Sequence, residues 1–416
     1  MINNNLDSYK TDYSLCTGCS ACYSICPQSA ISMVESDEGF LYPKINSKNC
    51  VNCSLCIKVC PIHKINKTTN ANPIFFAAIN KNEIERYQSS SGGIFIAIAK
   101  QIITDNGVVF GAKFAQDNTV IHSWTDKIDE LYQFCGSKYV QSVIGECYKN
   151  CKTFLDEGRK VLFTGTPCQI AGLKKYLSEK GKRLNLDNLV MIDFICHGVP
   201  SPILWKKYLF FIQEKSNGKY ENIKNITFRN KQYGWKNYSL AVSFQNDFEY
   251  SKSLDKDPYL KIFLKDIALR ESCYRCPCRG VERESDITIA DFWGIEQILP
   301  EIDDNKGTSL VFYNSKQGEK LFSKISENCI FYEIKNKEVR NYNPAIEKSP
   351  IRPKERDCFY SDLNKYTLIR IFRKYATESL LLCMLGFVRR ICHKLLRILT
   401  GENNIQKIKT RFKGEK

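Results

Sequence analysis

CTGCSACYSICP, residues 16–27, and CVNCSLCIKVCP, residues 50–61, are two copies of one pattern, C-x2-C-x2-C-x3-C-P. In this spacing three thiolates reach around one 4Fe–4S cube, and the turning chain carries the fourth to the other cube. The reading therefore groups Cys16, Cys19, Cys22 and Cys60 as cluster A, and Cys50, Cys53, Cys56 and Cys26 as cluster B. Pro27 and Pro61 turn the chain after the fourth ligand and remove a backbone donor there. Gly18 lets the backbone pass close to the inorganic core. Zinc wants four ligands, usually as two separated C-x2-C pairs, and disulfides suit small secreted domains. Two runs of four with crossed partners fit neither.

This is the arrangement of a bacterial-type two-cluster ferredoxin domain, placed at residues 1–66. Two adjacent low-potential clusters carry single electrons, so the remaining chain should contain the place where those electrons go. With 416 residues and 43% apolar content there is room for two or three domains and a sizeable core. Twenty Cys argue for a reducing compartment, and MINNNLDSYK at residues 1–10 has no apolar h-region. Both point to a cytoplasmic protein. The net charge of +16 is concentrated late, with 13 Lys+Arg against 3 Asp+Glu from Lys365 to Lys416.

Outward from the cysteine runs, Ala30 to Met33 and Gly39 to Pro43 read as short strands. The polar HKINKTTNAN, residues 63–72, marks a boundary. From Pro73 strands and helices alternate. Strands are expected at Pro73 to Ile79, GVVFGAKF, Val120 to Trp124, KVLFTG, Asn188 to Cys196, Asp286 to Ala290 and Ser309 to Tyr313. Helices are expected at Ile94 to Ile103 with Ser89 to Ser91 as N-caps, then at Val143 to Leu155, Gln169 to Leu177, Pro202 to Glu214 and Ser315 to Ile325. Asn222 to Tyr250 reads as a β-rich insertion. The alternation predicts an α/β (α+β) core with a parallel or mixed sheet over residues 73–351, followed by a basic helical extension at 352–416. Neither a Rossmann nor a P-loop fingerprint is present.

Cys168 lies just past one expected strand and Cys196 at the end of another. If those strands are parallel, both thiols stand on one carboxyl-end rim, where open α/β sheets bind ligands. Cys273 and Cys276 add a C-x2-C pair. Four thiolates suffice for a third 4Fe–4S cluster, for zinc, or for nothing beyond buried packing. Ser91-Gly92-Gly93 and Gly165-Thr166-Pro167 precede helices whose N-termini favour phosphate. Gly136-Ser137-Lys138-Tyr139 offers a flexible backbone, a hydroxyl, a cation and an aromatic ring. Together they suggest a dinucleotide cofactor, and a flavin is the group that converts one-electron into two-electron chemistry.

SSSGGIFIAIAKQIITDNGVVFGAKF, GSKYVQS, VLFTGTPCQIAGL, DFICHGVPSP and CYRCPCRGVERESDITIADFWG together resemble the coenzyme F-420 hydrogenase/dehydrogenase beta-subunit family, across roughly Pro73 to Ile351. The resemblance implies a flavoprotein core holding FAD and a 4Fe–4S cluster. It implies Cys168, Cys196, Cys273 and Cys276 as ligands of that third cluster. It implies Ser91, Gly92, Gly93, Gly136, Ser137, Lys138, Tyr139, Thr164, Gly165 and Thr166 as FAD contacts. One departure stands out: Cys278 could replace Cys276 or Cys273 as a ligand. With the ferredoxin domain in front, the chain resembles the bacterial branch often encoded beside polysaccharide-biosynthesis enzymes.

The function expected is an iron–sulfur flavoprotein oxidoreductase. Electrons from a ferredoxin or other donor would cross the clusters to FAD and reach a small-molecule or deazaflavin acceptor. The alternative is an electron-transfer subunit serving a separate catalytic partner subunit. His197, beside Cys196, is the one catalytic candidate, and it is as well suited to hydrogen-bonding the cluster or a carbonyl. Cys147 and Cys151, at i and i+4, read as packing. Cys135, Cys329, Cys358, Cys383 and Cys392 have no partner at metal spacing, and Asp291 to Gly294 reads as a turn with an aromatic plug. LLLCMLGFVRRICHKLLRIL, residues 380–399, has an unbroken apolar run only from Leu380 to Val388, too short to span a bilayer. It suits a helix packed on the core or on a partner, or a peripheral contact with an anionic membrane at its inner face. A basic tail without a reader motif is weak support for nucleic acid.

Overall fold

The computed structural model describes Leu6 and residues 13–63, 73–180, 186–216, 223–335 and 339–377. The segment 380–399 and Cys383 and Cys392 lie outside the described residues. In the first module, helix α1 (Ala21–Ile25) and helix α2 (Leu55–Lys58) flank a hairpin of β1 (Ile31–Glu35) and β2 (Leu41–Ile45). Ile31 pairs with Ile45 at one end of the hairpin and Glu35 with Leu41 at the other.

The main sheet has eight strands. They are β3 (Phe75–Asn80), β4 (Val108–Phe114), β5 (Val120–Thr125), β6 (Val161–Gly165), β7 (Leu189–Phe194), β11 (Ile287–Asp291), β12 (Ser309–Tyr313) and β13 (Cys329–Ile334). Their order is β13-β3-β12-β11-β7-β6-β4-β5. The centre, β11-β7-β6-β4, is parallel, and the flanking pairs are antiparallel. Consecutive residues of the central strands face opposite ways. Val109, Leu162, Val190 and Ile192 point to one face, against helix α3 (Ile94–Thr104). Val108, Phe110, Val161, Phe163, Leu189 and Met191 point to the other, against helices α4 (Cys147–Asp156) and α5 (Pro167–Lys180). Both faces are covered, which explains why these strands read as unbroken apolar runs.

A second, three-stranded sheet, β10-β9-β8, is built from β8 (Ile223–Asn230), β9 (Ser239–Phe244) and β10 (Glu249–Ser253), the β-rich insertion expected from sequence. It packs in an aromatic core with α6 (Pro202–Gln213), α7 (Pro258–Leu264) and, past α8 (Lys316–Lys324), α9 (Arg356–Lys365). A helix cap and helix starts differ from the sequence reading, α5 beginning at Pro167 rather than Gln169. The residue before α3 is Gly93, in the left-handed region at φ 82°, rather than one of Ser89 to Ser91; only glycine adopts that turn without strain. Helix α4 begins at Cys147, because Val143 bridges to Ile121 as extended chain.

The first module is not a bead on a linker. Cys19, Ala21, Ile25 and Val59 belong to the same apolar core as α4, α5 and one face of the main sheet. Ser201, which caps α6, also donates to the Glu38 carbonyl at 2.6 Å. Arg356 of α9 is almost fully buried. It clamps the Glu38 carboxylate at 2.8 and 2.6 Å and donates to the Leu269 carbonyl at 3.0 and 3.1 Å. Removing one partner of a buried pair costs about 3–5 kcal/mol, whereas an exposed pair is worth about 0–1 kcal/mol. Arg356→Ala is therefore expected to lower the unfolding midpoint strongly. Arg352→Ala, which breaks the more exposed pairs to Glu271 and Asp357, should hardly move it. Equal midpoints for the two variants would exclude Arg356 as the tie between module and core.

Candidate metal and cofactor site

Three thiol groupings form on this scaffold. Cys16, Cys19, Cys22 and Cys60 line one hollow together with Met33 and Pro43. Cys26, Cys50, Cys53 and Cys56 line a second with Ile31 and Ile45. The crossing is produced by the fold: α1 and α2 carry each run away so that its fourth Cys faces the other hollow. Both loops wind the same way. Gly18 and Ser20 in the first, and Asn52 and Ser54 in the second, sit at matching positions with φ of 68°, 63°, 54° and 62°. Alternation with left-handed residues turns successive N–H groups to one side and makes an anion-binding concavity of the kind found at Fe–S sites. For Ser20, Asn52 and Ser54 this backbone is costly, about 1–3 kcal/mol each, and persists only where the surroundings enforce it.

The third grouping is on the rim of the main sheet. β6 and β7 are parallel. Cys168, the second residue of α5, and Cys196, two residues past β7, therefore stand at the same end. Cys273 and Cys276 come to that rim on the 3-10 turn Glu271–Arg275 and its cap. The chain then descends alongside β7. Arg279 donates to the His197 carbonyl at 2.9 Å, Arg283 faces Asp193 at 3.5 Å, and the Asp286 amide meets the Met191 carbonyl at 2.7 Å. That descent brings β11 in parallel to β7 and leaves the C-x2-C turn behind at the carboxyl end.

Electrostatics tie each set together. Burial, then the neighbouring Cys60, pushes the Cys19 thiol up to about 12. Burial, then Cys273, pushes Cys196 up to about 12, and burial raises Cys273 to about 12 and Cys168 further. Cys168 feels Cys276, Cys196 and Cys19. Cys276 and Cys278 share a hydrogen bond that holds the Cys276 thiol below the usual range and pushes Cys278 well above it. Buried thiols crowded in this way ionise together only beside a compensating cation. The described cysteines are free thiols. Among the described residues no three of His, Cys, Asp or Glu converge on one metal ion.

The stretches expected to touch a flavin are placed unequally. Ser91 donates to the Thr308 carbonyl at 2.7 Å, and a Cβ on Gly92 would lie 2.2 Å from the Ala78 carbonyl oxygen. These two are engaged in seating α3 on β3 and β12. Gly93 is the left-handed residue before α3. Gly136 is different, with φ 81° and open space where a side chain would stand. Ser137 meets the Ser90 hydroxyl through both its amide, at 2.5 Å, and its own hydroxyl, at 2.9 Å. Burial pushes the Lys138 ammonium down to about 8, and it donates to the Cys135 and Gly136 carbonyls. Tyr139 stacks on Phe263 at 4.7 Å, and Phe263 meets the His197 ring at 5.1 Å. Thr164 donates to the Phe110 carbonyl, while its own carbonyl faces the His122 ring. Gly165 is packed on Gln169, which accepts from the Thr166 amide, and the Thr166 hydroxyl lies 3.1 Å from the Cys168 sulfur. His197 pairs with Asp266 at 2.6 Å.

Sequence reading missed several residues. Arg270, fully buried, donates to the Cys16 and Leu41 carbonyls at 2.7 and 3.0 Å and to the Gln141 side chain at 3.0 Å. Gln141 in turn donates to the Thr17 carbonyl at 3.3 Å. Arg229 pairs with Asp291 of the DFWG turn at 2.5 Å inside a box of Trp235, Tyr238 and Trp293. None lies at a recognisable spacing. Cys147, Cys151 and Cys329 are buried in the core as packing, Cys135 is half-buried, and Cys358 is exposed.

Comparison with known proteins follows the same division. Residues 15–64 match the 4Fe-4S dicluster domain family. Residues 158–338 match the family described as the C terminus of the Coenzyme F420 hydrogenase/dehydrogenase beta subunit. That stretch takes in Thr164 to Thr166 and all of Cys168, Cys196, Cys273, Cys276 and Cys278, and begins after Gly136 to Tyr139. The resemblance read from sequence is borne out over these two stretches. Over those stretches the chain is similar to 4Fe-4S dicluster domains and to the C terminus of hydrogenase and dehydrogenase beta subunits. No curated protein matches it. Among solved structures, a chain of the F420-reducing [NiFe] hydrogenase complex from Methanosarcina barkeri aligns at 14% identity and a TM-score of 0.44, covering 67% of this chain and 91% of that one.

The shared proton of Cys276 and Cys278 gives a direct test on the metal-free chain. Only the thiolate alkylates. Cys276 should react with iodoacetamide at lower pH than Cys168, Cys196 or Cys273. Cys278→Ala removes the donated hydrogen bond, so the Cys276 profile should move to higher pH. An unmoved profile would mean that the two sulfurs do not interact.

Proposed function

We propose that the chain is an iron–sulfur flavoprotein oxidoreductase that accepts single electrons from a ferredoxin or another donor and delivers pairs to a small-molecule or deazaflavin acceptor. The observation that carries this reading is the third thiol grouping at the sheet rim, where Cys168 neighbours Cys19 of the dicluster module. Cys16, Cys19, Cys22 and Cys60 would hold one 4Fe–4S cluster, Cys26, Cys50, Cys53 and Cys56 the second, and Cys168, Cys196, Cys273 and Cys276 the third. When bound, such clusters supply one-electron transfer and FAD supplies exchange between one- and two-electron partners.

The chain's own residues support these roles. Arg279, 8% exposed, faces Cys196 and Cys276 and offsets the negative charge that thiolates would gather there. Gly136, Ser137, Lys138 and Tyr139 supply an open backbone, a hydroxyl, a cation and a ring, the set a flavin nucleotide needs. Thr164, Gly165 and Thr166 border the Cys168 side, and Gly93 shapes the start of α3. Ser91 and Gly92 contribute by holding Ser90 against Ser137 rather than by direct contact. His197 can hold a proton at Nε2 against Asp266 and is the catalytic candidate for proton delivery to the acceptor. Among the described residues no helix is long and apolar enough to cross a membrane, and we place the protein in the cytoplasm. The relation to a beta subunit favours a partner subunit.

Anaerobically purified protein is expected to contain about twelve iron per chain, from three 4Fe–4S cubes, and one flavin. Cys168→Ala should lose about four iron while the two ferredoxin-type signals persist by EPR. About eight iron in the parent chain would remove the third cluster, and absence of flavin would overturn the oxidoreductase reading. Turnover only in the presence of a stoichiometric copurifying protein would make the chain an electron-transfer subunit instead.

A further inference from the structure

The two dicluster hollows are not equivalent. The first is turned inward. Thr17, Gly18, Cys19, Ser20 and Ala21 are all buried. A Cβ on Gly172 of α5 would lie 3.0 Å from both Cβ and Sγ of Cys19. A side chain there would crowd the thiol, so the helix sits close against it. Cys168 and Cys278 of the rim both sense the charge of Cys19. Arg270, three residues before Cys273, is bonded to the Cys16 carbonyl. The second hollow is turned outward. Cys53 is exposed, as are Pro27, Gln28 and Ser29, and Val51 is 59% exposed.

Among the described residues, the stretch of chain that forms the outward hollow's rim carries one sign of charge. From residue 39 to residue 63 the chain has three lysines, Lys44, Lys48 and Lys58, and no Asp or Glu. All three lysines are exposed. Lys44 precedes Ile45, and Lys58 ends α2, which begins with Leu55 and Cys56; all of Ile45, Leu55 and Cys56 line the hollow. The hairpin's acidic residues, Glu35, Asp37 and Glu38, are at its opposite end, where Glu35 pairs with Leu41 and Glu38 is clamped by Arg356.

We infer that the outward face, Val51 and Cys53 together with the exposed Lys44, Lys48 and Lys58 of the same stretch of chain, is the docking surface for a small acidic one-electron carrier protein, and that the Cys16–Cys19–Cys22–Cys60 hollow is the inward neighbour of the rim thiols. This rests on the electron-accepting role proposed above and gives it a direction: the carrier meets the second hollow, and the first lies between it and the core. An exposed apolar spot inside a ring of like charge matches a partner of the opposite sign, which it attracts from a distance and holds briefly. The small exposed area suits a transient electron-transfer encounter better than a permanent interface.

The test is the affinity of the iron-loaded full chain for an acidic two-cluster ferredoxin, measured by calorimetry at low and high salt. Binding should weaken with salt, because the charges are solvent-exposed. The triple variant Lys44→Glu, Lys48→Glu, Lys58→Glu should bind roughly tenfold or more weakly, with unchanged iron content and an unchanged EPR spectrum after dithionite reduction. Val51→Ser alone should weaken binding without altering its salt dependence. Wild-type affinity in the triple variant at full iron content would overturn the proposal, as would binding that is indifferent to salt. A parent chain with about eight iron that still binds ferredoxin through the three lysines would defeat the third-cluster reading and leave this docking surface standing.

Discussion

A single guanidinium, that of Arg270, holds the junction on which the rest of the arrangement depends. It is fully buried and has no carboxylate among its described partners; its donors go to the Cys16 and Leu41 carbonyls and the Gln141 side chain, and its face lies 4.1 Å from the Tyr42 ring centre. A buried charge is tolerated only when its hydrogen bonds are met. The two carbonyls belong to the Cys loop and the hairpin of the first module and Gln141 to the core, so Arg270 is satisfied when that module is seated on the core. The same residue begins the turn that carries Cys273 and Cys276. One side chain thus fixes the first Cys loop relative to the rim thiols.

The rim itself follows from chain direction. Parallel β6 and β7 put Cys168 and Cys196 at one end, and the segment descending into β11, rather than a strand end, supplies the remaining pair. Asp193 and Asp286 anchor that segment. Asp193 accepts from Thr288 at 2.6 Å and faces Arg283; Asp286 accepts from the Met191 amide at 2.8 Å and from Ser315 at 2.6 Å. Both carboxyls are pushed up by burial. Their retention in an apolar sheet is understandable as the means of holding an irregular loop whose backbone would otherwise lack partners.

Much of the site was readable in advance because thiols at fixed spacing carry their geometry with them. The crossed grouping of the first eight cysteines needs only the spacing and a turn after each fourth ligand. Strands were legible wherever both faces are buried, as in VLFTG and LVMIDF. The cap before Ile94 and the helix start at Cys147 were less so. Serine is a good cap, but Ser91 is drawn instead to Thr308, more than two hundred residues away, and Val143 is held extended by Ile121. Long-range hydrogen bonds outweighed local propensity at both places.

The sequence by itself determined which atoms could bind metal, how the first eight thiols divide, where strands and helices alternate, and that one stretch lacks acidic residues. Only the tertiary structure decided which hollow faces the core and which faces water, that Gly172 packs tightly against Cys19, and that Ser91 and Gly92 serve packing while Gly136 has open space beside it. The reason is physical. Spacing within a run is a local covalent property of the chain. Exposure, charge pairing and the fit of one helix on one thiol depend on residues far apart in sequence, and no local pattern encodes them.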